Sequence, residues 1–264
     1  MRSGFRKKIL PVLCSLVVCS PLKAESVFSL DLGTNIALST LTLGVLASSF
    51  LIENPPSQIP SSLCRSNLNA LDRSLLVTRY TPIIRYISSA TMVSMAFLPV
   101  LSIHDNFNMN TVTTYGVMYS QALLLAFGTR RLLKENITRF RPWYYDGRTL
   151  GSNPRSDSFP SGHSCAAFLS ATFFSTTFLL EHPDSRWRWP VIAGSHTLAA
   201  GVGAMRILSG MHFFTDVIAG AAIGSLYGWL IPYLHFIRGR RNYTGGSGFP
   251  IKMTGNALLL SVSL

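Results

Sequence analysis

The chain has 264 residues, of which 48% are hydrophobic and only 13% are charged, and its formal net charge is +12. A soluble domain carries roughly 25% charged residues, so this composition excludes an ordinary soluble protein. A basic balance can indicate nucleic-acid binding, but here the basic residues flank long hydrophobic segments. This arrangement favours a membrane protein with basic cytoplasmic ends and an anionic partner, and we do not expect nucleic acid as a partner.

The first 24 residues have the pattern of a targeting segment. A basic stretch from Arg2 to Lys8 precedes a short apolar run, and Leu22-Lys23-Ala24 fits a cleavage site. We therefore expect a signal peptide or signal anchor over 1–24, a membrane domain over 25–241 and a loose tail over 242–264. The cysteines fit neither a disulfide framework nor a zinc site.

Six apolar stretches follow, and each approaches the ~20 residues that a helix needs to cross a bilayer. They are 30–52, 81–104, 111–129, 160–180, 189–208 and 212–237. The sequence therefore predicts an all-α fold, a polytopic membrane helical bundle with about six transmembrane helices.

A pair of cations, Lys134 and Arg141, precedes Pro142. Seven residues are two helical turns, so a helix would present both side chains on one face. Arg141 offers a planar fork to two oxygens and Lys134 a point charge, which suits an anion such as phosphate. The alternative is a basic rim at the membrane interface. Five other arginines lie nearby, and we expect most of them to belong to such a rim: Arg130, Arg131, Arg139, Arg148 and Arg155.

The segment Pro160-Ser161-Gly162-His163 opens the fourth apolar stretch. Proline suits the first turn of a helix, and the N–H groups of Ser161 and Gly162 would lie at its positive end, where anions bind. His163 would lie beside such an anion and could serve as a general acid. A capping serine with an incidental histidine is the alternative.

The segment from Arg206 to Asp216 carries the third cluster. Ser209-Gly210 interrupts the apolar run, so Arg206 should end one helix and His212 begin the next. Asp216, four residues after His212, could take the Nδ1 proton and leave Nε2 free to attack. A purely structural His–Asp pair is the alternative.

Two further features of this region favour packing. Gly220, Gly224 and Gly228 form a small-residue series that predicts close contact with a neighbouring helix. His196 lies about 15 Å deeper than Arg206 on a regular helix, and we interpret it as a packed polar residue.

Taken together, the three clusters resemble the signature of the type 2 phosphatidic acid phosphatase superfamily, which also includes vanadium haloperoxidases and bacterial acid phosphatases. The matching positions are Lys134, Arg141, Pro142, Pro160, Ser161, Gly162, His163, Arg206, His212 and Asp216. One position departs from the signature, because Met205 stands where the family has serine.

The resemblance implies a role for each of these residues. Lys134, Arg141 and Arg206, with N–H groups around Ser161 and Gly162, would bind phosphate. His212 would attack phosphorus, His163 would protonate the leaving group and Asp216 would orient His212. The resemblance implies no metal and no other cofactor, and its expected substrate is a lipid phosphate in the bilayer.

The side of the membrane on which the site lies depends on how many segments cross it. The Arg-rich end at 238–241 predicts a cytoplasmic C-terminus, hence a site on the periplasmic face of a bacterial-type inner membrane. A cleaved signal peptide followed by six crossings would reverse this. Either the signal is not cleaved or one early stretch, 30–52, does not span.

Several functions remain compatible with the sequence. The expected one is hydrolysis of lipid A or a polyprenyl diphosphate, with phosphatidate and phosphatidylglycerol phosphate as further candidates. A lipid phosphotransferase would use the same residues, whereas a haloperoxidase does not explain the apolar helices. A non-enzymatic transporter would need polar residues along several helices. Oligomeric state is not encoded in any recognisable pattern.

Overall fold

The computed structural model describes residues 26–52, 63–104, 107–146 and 157–243, and these ranges are helical without strands. The all-α prediction is therefore confirmed. The expected targeting segment 1–24, nearly all of the tail 242–264, Arg148 and Arg155 lie outside the described residues. The α-helices are α1 Leu32–Leu51, α2 Ala70–Ser74, α3 Pro82–Met95, α4 Met109–Asn136, α5 Gly162–Glu181, α6 Arg188–Leu208 and α7 Phe214–Tyr243. Short 3₁₀ turns cover Arg65–Asn67, Leu98–Ile103 and Pro142–Asp146.

Each of the six predicted apolar stretches forms a helix, and five are long and apolar enough to cross a membrane. These five are α1, α3 with the following 3₁₀ turn, α5, α6 and α7 as far as Phe236. The exception is α4, whose last turns carry Arg130, Arg131 and Lys134. The described part of the chain is thus a multi-pass helical bundle, with five of the six predicted spans supported by composition.

Helices α1 and α4 run in the same direction. Gln121 Nε2 donates to Asn35 Oδ1 at 2.7 Å, and ten residues later Arg131 Nε donates to the Ser49 carbonyl at 2.9 Å. Helix α1, which covers most of the stretch 30–52, is long and apolar enough to cross a membrane and lies alongside α4 over this length.

Helices α4 and α7 run in opposite directions. His235 Nε2 lies 3.0 Å from Gln121 Oε1, and Thr129 Oγ1 lies 2.9 Å from the Tyr227 hydroxyl. One end of the bundle therefore collects the last turns of α4 and α6 with the first turns of α3, α5 and α7. We call it the site end, because all three predicted motifs lie there.

The glycine series on α7 brings α5 and α7 into backbone contact, as predicted. A Cβ at Gly220 would lie 2.3 Å from the Ser161 carbonyl oxygen, and one at Gly224 would lie 2.1 Å from that of Cys165. At Gly228 the nearest atom is the Leu169 carbonyl oxygen at 2.7 Å. This contact fixes the start of α5 against the start of α7, which positions the two predicted histidines relative to each other.

Candidate active site

The start of α5 leaves two backbone N–H groups for an anion, and only one of them belongs to the pair that the sequence predicts. Ser161 is the N-cap, its side chain accepts from Ser164 N, and Pro160 lies outside the helix. The Ser161 N–H is not available to a ligand, because it donates to the Asp216 carbonyl at 3.0 Å. The N–H groups of Gly162 and His163 occupy the first two helical positions and have no intrahelical acceptor. They are the donors left at this helix end.

His163 lies in the first turn of α5 and points toward α3. Its Nε2 is 3.0 Å from the Ser89 hydroxyl, which in turn donates to the Arg85 carbonyl at 3.0 Å. The charges of Arg141, Arg206 and Arg85 all act at this imidazole. Ser89 thus fixes the ring position, and no sequence pattern indicates this contact.

His212 lies in the loop between α6 and α7, two residues before α7 begins, and not on the helix as expected. Its Nδ1 is 2.7 Å from the Ser158 carbonyl oxygen, whereas Asp216 Oδ2 is 3.6 Å away. A carbonyl oxygen only accepts, so Nδ1 carries the proton and Nε2 carries the lone pair. The acceptor that fixes this tautomer is therefore Ser158, and Asp216 is a more distant neighbour.

The imidazole of His212 is almost completely buried, with 4% of the residue exposed. Burial, helped by the cations Arg141 and Arg206 and opposed by Asp216, lowers its pKa to about 4. His212 is consequently neutral at physiological pH, as a nucleophile requires.

Asp216 organises the loop that carries His212. Its Oδ2 accepts from the Ser158 hydroxyl at 2.5 Å and from the Phe213 N–H at 2.8 Å, and its Oδ1 accepts from Arg139. The carboxylate thus holds together the residues on either side of His212. It acts on the histidine through Ser158 more than by direct contact.

Arg139 bridges two buried carboxylates, and it is therefore an exception to the solvated rim that we expected for most of the nearby arginines. One terminal nitrogen pairs with Asp216 and the other with Asp72, and both carboxylate side chains have no exposed surface. Asp72 Oδ1 and Oδ2 also accept from the Thr215 N–H at 3.0 Å and hydroxyl at 2.7 Å. Burial would raise the pKa of Asp72, but the hydrogen bonds from Thr215 and Arg139 outweigh it and lower this pKa.

Lys134 and Arg141 both contact one carboxylate, but not through the predicted two turns of a single helix, because α4 ends at Asn136 and Arg141 lies beyond it. Lys134 Nζ donates to Asp157 Oδ2 at 3.4 Å, and Arg141 Nε donates to Asp157 Oδ1 at 2.6 Å. Burial opposes the charge on Asp157, but Arg141 and Lys134 outweigh it and lower the pKa of this carboxyl. Because Arg141 uses Nε for Asp157, its terminal nitrogens stay available to oxygens of a ligand, apart from a weak contact of Nη1 with Met211 Sδ at 3.7 Å.

Arg206 ends α6 as predicted and is deeply buried, with 2% of the residue exposed. Nη1 donates to the Ser88 hydroxyl at 3.2 Å, but Nε has no hydrogen-bond partner among the described residues. A buried guanidinium donor without an acceptor is costly, so a ligand oxygen at this position would be stabilising. Its carbonyl accepts from the Met211 and His212 N–H groups, which ties the cation to the His212 loop.

Met205 and His196 have structural roles. Met205 packs against the apolar cluster of Met95, Ala199 and Val202, so the family serine is replaced by a core side chain. His196 contacts the Ile192 carbonyl at 2.9 Å through Nδ1 and the Thr172 hydroxyl at 3.2 Å through Nε2. Its interpretation as a packed polar residue agrees with these contacts.

Three sequence comparisons relate this chain to known proteins. Residues 115–240 match the family model of the PAP2 superfamily. The chain is 40% identical over 87 residues to a lipid A 1-phosphatase of Porphyromonas gingivalis, covering 33% of this chain and 18% of that one. It is 40% identical over 119 residues to phosphatidylglycerophosphatase B of Bacillus subtilis, covering 41% of this chain and 54% of that one.

Two further similarities extend the comparison. The bacitracin transport permease protein BcrC of Bacillus licheniformis is 41% identical over 87 residues, which cover 31% of this chain and 37% of that one. The crystal structure of a transmembrane PAP2-type phosphatidylglycerolphosphate phosphatase from Bacillus subtilis has a TM-score of 0.48 at 20% identity, covering 75% of this chain and 94% of that one. The sequence matches span 18–54% of the curated relatives' length. Residues 115–240, the range that matches the PAP2 superfamily model, hold every predicted site residue.

Proposed function

We propose that this chain is a membrane phosphatase that hydrolyses a lipid phosphate or diphosphate through a covalent phosphohistidine at His212. The observation that carries the proposal is the meeting of a neutral, buried His212 with three cations at one end of an apolar helical bundle. Lys134, Arg141 and Arg206 supply the positive charge that a phosphate and its transition state need.

In the first step, His212 Nε2 attacks phosphorus while the bond from phosphorus to the leaving oxygen breaks. His163 gives a proton to that oxygen, so the alcohol or phosphate leaves with this oxygen protonated. Ser158 keeps the Nδ1 proton in place, which directs the Nε2 lone pair at phosphorus. The bonding electrons of the broken bond pass to the leaving oxygen, and the phosphoryl group becomes attached to His212.

In the second step, water attacks the phosphohistidine and His163, now neutral, takes a proton from that water. The P–N bond breaks, its electrons return to Nε2, and inorganic phosphate leaves. Both steps use the same three cations to neutralise the phosphoryl oxygens. No metal ion is needed in this scheme, because the guanidinium and ammonium groups supply the charge that a metal would supply elsewhere.

The substrate is proposed to be a lipid because the site end adjoins helices whose outward faces are apolar. The names of two relatives, a lipid A 1-phosphatase and a phosphatidylglycerophosphatase, support this class. Lipid A or a polyprenyl diphosphate is favoured over phosphatidate and phosphatidylglycerol phosphate, because Arg85 and Arg130 add positive charge beside Lys134, Arg141 and Arg206. Arg130 packs along Gly162, where a Cβ would lie 3.4 Å from its side chain.

The site is proposed to face the periplasm of a bacterial-type inner membrane. The described chain enters and leaves the bundle at the end opposite the site. Basic clusters occur both before residue 9 and at 238–241, and such clusters favour the cytoplasm. Six crossings by α1, α3, α4, α5, α6 and α7 would put both clusters in the cytoplasm, provided that the segment before α1 adds no crossing of its own.

Two other functions can be separated from this one by experiment. A lipid phosphotransferase would pass the phosphoryl group from His212 to a lipid hydroxyl and not to water. Transport without hydrolysis is suggested by the name of one relative. Against it, the proposed site residues lie at one end of the bundle and do not line a path through the described helices; they are Lys134, Arg141, His163, Arg206 and His212.

Phosphate release from a lipid panel by purified protein in detergent tests the proposal. The panel holds lipid A, polyprenyl diphosphate, phosphatidate and phosphatidylglycerol phosphate, with EDTA present throughout. We expect release by the wild type and none by His212→Ala, with His196→Ala as the control histidine. Release that persists in His212→Ala would contradict the assigned nucleophile, and transfer to a second lipid without phosphate release would favour the phosphotransferase.

A further inference from the structure

Asp157 accepts hydrogen bonds from Lys134 and Arg141, two of the cations proposed to bind phosphate. Its two oxygens accept separately, Oδ1 from Arg141 at 2.6 Å and Oδ2 from Lys134 at 3.4 Å. A carboxylate that spans two cations through two oxygens presents the same pattern of acceptors as one edge of a phosphate. Asp157 and a bound phosphate would therefore compete for Lys134 Nζ and repel each other across Arg141.

The pair that Asp157 occupies is the accessible part of the site. The side chains of Lys134, Asp157 and Arg141 are 27%, 23% and 13% exposed, whereas Arg206 and His212 are 2% and 4% exposed as residues. An anion arriving from the surface meets this ion pair before it reaches the buried groups. Partly exposed ion pairs are weak enough to exchange partners.

The backbone beside Asp157 is held in place. The Ser158 N–H donates to the Arg139 carbonyl at 3.0 Å, and the Ser158 carbonyl accepts from His212 at 2.7 Å. Asp157 can thus leave the cations by rotation of its side chain while Ser158 continues to fix the His212 tautomer. The side chain of Asp157 can therefore move while the backbone of Ser158 stays in place.

We propose that Asp157 is an internal competitor of phosphate, which holds Lys134 and Arg141, yields them to the phosphoryl group of the substrate and reclaims them to expel inorganic phosphate. The inference rests on the proposed function, since it concerns the phosphate of the same reaction. It assigns Asp157 a specificity role: its charge reduces the net charge of the three cations from +3 to +2, which matches a phosphate monoester dianion.

A purely structural role of Asp157 predicts the opposite change in phosphate affinity. If Asp157 served only to orient Lys134 and Arg141, its loss would leave two disordered cations and weaken phosphate binding. If Asp157 competes with phosphate, its loss frees both cations and strengthens binding. The sign of the change in phosphate affinity therefore distinguishes the two roles.

The experiment is calorimetric titration of inorganic phosphate into detergent-purified wild type, Asp157→Asn, Asp157→Ser and Glu135→Gln. Glu135 is a matched control, because it is an acidic residue directly after Lys134 that pairs with Arg131 at 3.9 Å. We expect phosphate to bind both Asp157 variants about fivefold more tightly than wild type, the scale of one partly exposed ion pair. Glu135→Gln should change the affinity by less than about twofold.

Weaker or unchanged phosphate binding in both Asp157 variants would overturn the inference, as would a wild type that binds no phosphate. The two variants differ in side-chain size, so a folding defect in one leaves the other as the test. Turnover is measured in parallel by phosphate release from lipid. If the Asp157 variants bind phosphate more tightly, as expected, while no lipid phosphate is hydrolysed, the proposed function fails. The role of Asp157 as a competitor of phosphate then stands.

Discussion

Arg139 and Asp216 form an ion pair inside the bundle, and the second terminal nitrogen of Arg139 pairs with Asp72. The guanidinium thus joins α2 to the first turn of α7. Since Asp216 also accepts from Ser158 and Phe213, the chain of contacts runs from Asp72 to the loop that carries His212. The position of the proposed nucleophile depends on an arginine that does not contact it.

Removing Arg139 should therefore harm both stability and turnover. Arg139→Ala leaves two buried carboxylates unpaired, and we expect the free energy of unfolding to fall by about 3–5 kcal/mol. Arg139→Lys keeps the charge but cannot contact both carboxylates, and displacement of His212 should lower kcat by about 10–100-fold with little change in KM. Thermal unfolding and steady-state kinetics measure the two effects. Wild-type kcat in a folded Arg139→Lys protein would contradict this positioning role.

Ser89 should support the acid role of His163. Ser89→Ala removes the 3.0 Å contact with Nε2, and the loss of one hydrogen bond should lower kcat by up to about tenfold. Ser94→Ala is the matched control, since Ser94 lies on the same helix, is exposed and bonds only to the Ala90 carbonyl in the described structure. An equal effect of the two substitutions would mean that Ser89 acts through helix stability alone.

The protonation of His212 should occur at unusually low pH. Burial lowers its pKa to about 4 from 6.5, so the imidazole should stay neutral as the pH falls until about 4 and then lose its nucleophilic lone pair. Because the folded pKa is depressed, the unfolded chain binds the extra proton first, and stability should decline as the pH falls from 6.5 toward 4. Imidazole ¹⁵N chemical shifts, assigned with His212→Asn, follow the titration. A midpoint near 6.5 would contradict the buried, neutral state.

Gly224 should tolerate no side chain. In Gly224→Ala the new Cβ would lie 2.1 Å from the Cys165 carbonyl oxygen, and separating α5 from α7 should cost about 1–3 kcal/mol or more. Gly194→Ala on α6 is the control, because a Cβ there meets nothing within 4 Å and alanine favours the helix. Thermal unfolding in detergent measures both variants. A Gly224→Ala protein as stable as Gly194→Ala would show that the two helices can separate without cost.

The sequence predicted the features that depend on local pattern. Hydrophobic length predicted the helices, and the Gly220, Gly224 and Gly228 spacing predicted a close helix contact. The cations and histidines were identified because charged groups beside apolar helices are rare and chemically distinctive. Their convergence at one end followed from the alternating order of the helices.

The contacts between distant segments could not be predicted in the same way. Asp72 meets Arg139 and Thr215 across separations of 67 and 143 residues, and Ser89 meets His163 across 74. No periodicity relates such positions. One signal was available: with 11 acidic residues against 23 basic ones, an acid beside a phosphate motif, as at Asp157, is unusual enough to suggest a partner among the cations.

The position of His212 was also missed by sequence pattern, for a definite reason. A spacing of four residues to Asp216 suggested one helical face, but α7 begins at Phe214 and His212 lies in the preceding loop. There, Nδ1 meets the Ser158 carbonyl, an acceptor that any residue type supplies and that sequence therefore does not reveal.

The most direct test of the account is to trap the phosphorylated protein. Detergent-purified protein is mixed with a ³²P-labelled lipid phosphate, quenched within milliseconds in alkaline SDS, and the label on the chain is mapped by proteolysis. We predict that wild type carries label on His212, that His163→Gln accumulates more of it because hydrolysis is slowed, and that His212→Gln carries none. Label on any other residue, or rapid phosphate release by His212→Gln, would contradict the central claim that His212 is the nucleophile.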